Sequence, residues 1–120
     1  MKSSTPQPLT PAVFHILLAL ADGEKHGYRI MQAVKANSQG EFQIGPGTLY
    51  GTIKRMLADE LIVETDERPD PELDDQRRRY YRLTDQGRQT LQADLVRMDS
   101  LLKRARTLKV IPPAPARVLQ

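Results

Sequence analysis

The residues best suited to chemistry on a ligand lie in one stretch, residues 45–57. Thr48, Tyr50, Thr52, Lys54 and Arg55 bring hydroxyls, a phenol and two cations together, and no carboxylate follows until Asp59. Such groups exchange hydrogen bonds and neutralise phosphate. They do not make a nucleophile–base pair. Leu49, Ile53, Met56 and Leu57 recur at i, i+4, i+7 and i+8, so the stretch predicts a helix with one apolar and one polar face. Gly51 leaves room on the polar face for close approach. Hydrogen-bonding groups near the start of a helix are what reading base edges in a major groove requires, and Lys54 can reach a phosphate or a guanine edge.

Other chemistries find little support. The chain has no cysteine, which excludes disulfides, thiolate metal sites and thiol nucleophiles. His15 sits in an apolar helix and reads as a hydrogen-bonded core residue, and His26 sits at a turn and reads as a cap. Gly45, Gly47 and Gly51 space as neither a dinucleotide fingerprint nor a phosphate loop. The acidic stretch 66–76 lacks the glycine and terminal glutamate of an EF-hand loop. No catalytic residue, metal site or cofactor is expected.

The elements that must position the polar helix follow from patterning. Residues 1–8 read as a flexible arm. Thr10-Pro11 starts a first helix, apolar nearly all round and ended by Asp22-Gly23. A second runs from about Gly27 to Asn37, with Ile30, Met31 and Val34 inward, and Tyr28 opens it, either where a phosphate could be met or as a core or capping residue. Phe42 and Ile44 suggest a very short extended segment. Residues 61–65 and 78–83 read as strands joined by a long charged loop over 66–77. Thr84 caps a last helix, which should end near Lys109, before Pro112 and Pro113. Its Leu91, Leu95, Met98, Leu102 and Ala105 step by 4, 3, 4 and 3, a heptad seam. The pattern is mainly α with a β-hairpin, a winged helix–turn–helix over 9–83 with a long C-terminal dimerisation helix over 84–109 and a flexible tail over 110–120. A seam with no partner in so small a domain points to a second copy of the chain; folding back onto the first helix is the alternative.

Charge is unevenly placed. The net charge is +3, but residues 66–76 hold six carboxylates and one arginine, and residues 77–120 hold eleven cations and three carboxylates. A basic half suits a polyanion. Arg77, Arg78 and Arg79, at the base of the wing, are candidates for phosphate or minor-groove contact, or for pairing with the acidic loop beside them. Lys103, Arg104 and Arg106 read as solvated. No apolar run approaches the roughly 18 residues of a membrane span, and the N-terminus lacks a signal-peptide core, so a cytoplasmic location and no membrane partner are expected.

Three separated pieces, His26-Gly27-Tyr28-Arg29-Ile30, Pro46-Gly47-Thr48-Leu49-Tyr50 and Tyr81-Arg82-Leu83-Thr84-Asp85-Gln86-Gly87, resemble the PadR family of transcriptional regulators in order and spacing. The similarity covers roughly residues 9–108. It implies a homodimeric DNA-binding repressor, of the smaller kind with one C-terminal helix, relieved by an effector or stress signal. The partners implied are double-stranded DNA carrying a pseudo-palindromic operator, a second copy of the chain and a small-molecule effector. Some small members hold planar aromatic drugs between tryptophans at the dimer interface; this chain has no tryptophan, which argues against that site. The acidic wing loop is a second departure, since its tip should be repelled by phosphate. The rival reading is a winged-helix protein-interaction module without DNA binding, which the acidic loop favours.

Overall fold

The structure, a computed structural model, describes residues 9–69 and 77–115, without the side chains of 67–69, 77 and 78. The expected arm 1–8, the acidic residues 70–76 and the end of the tail, 116–120, lie outside the described residues. The order is α1 (Pro11–Ala19), β1 (Lys25–His26), α2 (Gly27–Asn37), α3 (Pro46–Ala58), β2 (Ile62–Pro69), β3 (Arg77–Leu83) and α4 (Asp85–Thr107).

The start of α1 follows from its first residues. Thr10 Oγ1 accepts from the Val13 amide at 3.2 Å, and Pro11 occupies the first turn. The helix stops at Ala19, before the expected Asp22, and its last turn continues non-helically to Gly23, whose φ of 145° excludes most side chains. Ile16, Leu17 and Leu20 of this segment meet Ile30 and Val34 of α2 and Leu49, Ile53 and Met56 of α3 in one core. Each such side chain stabilises the fold by about 1.5–3 kcal/mol relative to exposure.

The strands depart from expectation in two ways. They run further, from Ile62↔Leu83 to Pro69↔Arg77, with one extra residue on β2 between Glu64 and Glu67. A third strand, β1, pairs its Lys25 with Tyr81 and its His26 with Tyr80, giving an antiparallel sheet ordered β1-β3-β2. Phe42 and Ile44 form no strand; instead they pack on the core, and Phe42 stacks on the His15 ring at 4.5 Å. His15 is therefore held by ring contacts, and its buried Nδ1 has no hydrogen-bond partner among the described residues, contrary to the expected hydrogen bond.

The corner between α3 and α4 is fastened by Thr84. Its Oγ1 accepts from the Gly87 amide at 2.9 Å, while its hydrogen lies between the carbonyls of Glu60 at 2.7 Å and Leu61 at 3.0 Å. The Thr84 amide also donates to Leu61 O at 3.1 Å. One side chain thus caps α4 and ties it to the end of α3. At the far end Lys109, with φ 60°, closes α4, and Val110 donates back to Ala105 O at 2.9 Å.

The seam on α4 needs one correction. Leu91 is 4% exposed and belongs to the core of its own domain, because α4 begins against α1 and β3. The exposed apolar stripe starts later, at Leu95, and continues through Met98, Leu101, Leu102 and Leu108, with Ala105 half-buried.

Candidate nucleic-acid interface

Helix α3 turns Leu49, Thr52, Ile53 and Met56 inward. These positions are i, i+3, i+4 and i+7, the ordinary buried stripe of a helix. Thr52, expected to reach DNA, is 2% exposed. Its place in the stripe carries it into the core despite its hydroxyl, so its side chain is withdrawn from the polar face. Leu57, given to the stripe on sequence, is half-buried at its edge. Thr48, Gly51, Lys54 and Arg55 are exposed together on the opposite face. A Cβ added at Gly47 or Gly51 would meet nothing within 4 Å, so the backbone of this face is open to close approach.

Tyr50 stands on the flank. Its ring is 48% exposed, yet its hydroxyl reaches the start of α2: a Cβ on Gly27 would lie 2.3 Å from it. Helix α2 begins on His26, which is buried and whose Nδ1 accepts from the Arg29 amide at 3.3 Å. The expected capping role of His26 is thus in place. The His26 ring meets Tyr80 edge-on at 5.3 Å and stacks beside Tyr28 at 6.5 Å. Tyr28 is exposed, on the same helix end that Tyr50 approaches.

Arg79 is exposed and pairs with Glu64 on the neighbouring strand at 3.9 Å, across the extra residue of β2. The side chains of Arg77 and Arg78 lie outside the described residues. Next to Arg79, Tyr81 is buried. Burial pushes its phenol above the ordinary 10.0, helped by the charge of Glu64 and by the neighbouring Tyr50, with Arg79 opposing. A raised folded value means that its contribution to stability is complete below the unfolded value and is lost as pH rises through the folded one. Stability should therefore decline as pH rises above about 10, and Tyr81→Phe should flatten that decline in denaturation midpoints measured there. An unchanged slope would place the titration elsewhere.

Among the described residues no cluster of His, Asp and Glu could hold a metal, and no helix is long and apolar enough to cross a membrane. An apolar groove of about 530 Å³ lies between α1 and α4, lined by Leu18, Ala21, Leu91, Leu95 and Val96. It is away from the polar face of α3 and continuous with the exposed stripe of α4.

Residues 16–93 match the model of the Transcriptional regulator PadR-like family. The chain belongs to the PadR family. A relative in Mycobacterium tuberculosis, "Transcriptional regulator Rv3488", is 37% identical over 89 residues, which are 74% of this chain and 77% of that one. Among solved structures, a PadR family transcription regulator from Clostridium difficile superposes with a TM-score of 0.67 at 24% identity, over 82% of this chain and 98% of that one. The Bacillus subtilis PadR crystallised with operator DNA gives 0.65 at 22% identity, over 95% of this chain and 55% of that one. These confirm the winged helix with a long last helix, and the family makes this PadR chain a transcriptional regulator, not an enzyme. The structure also explains the three motifs. The first two meet where Tyr50 reaches Gly27, and the third is the Thr84–Gly87 fastening. Sequence reasoning missed Gly27 because no periodicity marks a glycine whose neighbour lies on another helix.

Proposed function

We propose that this PadR-family protein is a sequence-specific DNA-binding repressor acting as a homodimer. The observation that carries the reading is the outer face of α3, where Thr48, Lys54 and Arg55 stand exposed around an open Gly51 with no carboxylate among them. Laid in a major groove, this face offers hydrogen-bonding groups to base edges and cations to phosphate. Tyr28 and the exposed part of the Tyr50 ring lie at its flank, and Arg79 stands exposed on β3. The complex of the Bacillus subtilis PadR with operator DNA supports the same use of the fold.

The dimer reading rests on Leu95, Met98, Leu101 and Leu102, exposed on one helix and continuous with the α1–α4 groove. Two-fold pairing through α4 presents two copies of α3 and calls for a pseudo-palindromic operator with half-sites roughly 34 Å apart. The repressor sign and relief by an effector or stress signal are supported by the family resemblance alone.

The test is selection of duplexes from a random-sequence library, followed by titration against salt. Affinity should fall steeply with salt as counterions are released. Lys54→Ala should weaken binding across sequences and reduce the salt slope by about 0.9 per protomer, the loss of one phosphate contact. Thr48→Ala should also shift sequence preference. Wild-type protein that enriches no duplex, or a Lys54→Ala protein with an unchanged slope, would count against this use of α3.

A further inference from the structure

Gly27 has none of the usual reasons to be glycine. Its φ is not positive; that conformation occurs at Gly23 and Gly40. It opens a regular helix, where alanine has the higher propensity. It is also buried, so solvent does not explain it. What distinguishes the position is its neighbour. A Cβ there would stand 2.3 Å from the Tyr50 hydroxyl and 2.8 Å from Cζ of the ring, distances that side chains do not sustain.

We propose that Gly27 is a positioning residue for the recognition helix: the space left by its missing side chain seats the Tyr50 phenol and thereby sets how α3 presents Thr48, Lys54 and Arg55. The buried stripe Leu49, Thr52, Ile53 and Met56 anchors α3 along its inner side. Tyr50, on the flank, adds a contact between the helix and the start of α2. Filling the seat displaces a half-exposed ring that has solvent to move into, so the fold survives while the relation of the two helices changes. The seat ties the His26-Gly27-Tyr28 motif to the Thr48-Leu49-Tyr50 motif as one device.

Its effect on DNA rests on the reading of α3 above; the coupling itself does not. The experiment compares wild type, Gly27→Ala, Tyr50→Ala and the double variant. Three quantities are read: denaturation midpoint, nitration of Tyr50 followed by mass spectrometry (in the variants that retain it), and affinity for a duplex that the wild-type protein selects from a random library. Gly27→Ala alone should expose the phenol to faster nitration and weaken binding about tenfold, the scale of one lost contact. In the Tyr50→Ala background the same substitution should be silent or raise the midpoint, since alanine then brings its helix propensity with no ring to displace. An equal loss of stability in both backgrounds, unchanged nitration, or wild-type affinity in Gly27→Ala overturns the proposal. Should the wild-type protein select no duplex, the DNA reading falls, and the coupling is still decided by midpoint and nitration.

Discussion

Gly87→Ala is expected to cost about 3 kcal/mol or more, the sum of an overpacked contact and a damaged helix cap. For a domain of this size that lowers the melting temperature by about 12–24 °C. The reason is what the new Cβ meets: Leu61 O at 2.0 Å and the carbonyl carbon at 3.0 Å. Both are backbone, so no rotamer change relieves the clash. The same carbonyl accepts from the Thr84 amide and lies within reach of the Thr84 hydroxyl. Moving Leu61 aside therefore loosens the fastening of α4 to α3 along with the cap on Gly87. Thr84→Ala, which removes the cap but makes no clash, should cost about 1 kcal/mol. Thermal denaturation followed by circular dichroism separates the two. A Gly87→Ala protein melting within a few degrees of wild type would mean that α4 does not sit this tightly on the corner.

The contrast between Gly87 and Gly27 shows what a sequence can and cannot convey. Both lie in motifs that matched by residue type and spacing. Neither motif states whether the glycine faces a rigid carbonyl or the movable end of a tyrosine, because that is decided by another element. Periodicity did reveal α3, since Leu49, Ile53 and Met56 are apolar at helical spacing. It misassigned Thr52, because a hydroxyl was taken as a mark of the outer face while position 52 falls within the inner stripe. Leu91 fits the heptad of α4 as well as Leu102 does; only the docking of the helix's first turns on its own domain separates them. Strand β1 has two residues, too few for alternation to register, and exists because β3 offers it a free edge. Local rules identified the elements and their caps. Facing relations between elements, which assign Thr52, Leu91 and Gly27, required the fold.

Those relations also sharpen the largest effect expected on assembly. Leu102→Asp should leave the protomer folded and dissociate the dimer proposed above. Leu102 is 45% exposed and outside the core, so aspartate there meets water in the monomer. In an α4–α4 pairing the same carboxylate would be buried without a partner, at a cost of several kcal/mol per ion. Loss of the dimer removes the linkage between half-sites, and with it about 10²- to 10⁴-fold in affinity for a two-site operator. Affinity for a single half-site should change little, because α3 is untouched. Leu91→Asp is the informative comparison: it buries a charge in the protomer's own core and should lower the melting temperature whatever the oligomeric state. Light scattering on the eluting protein gives the mass, and denaturation gives the fold. A Leu102→Asp protein that elutes as a dimer at low concentration would move the interface off this stripe, and would leave the exposure of Leu95, Met98 and Leu102 to be accounted for by another partner.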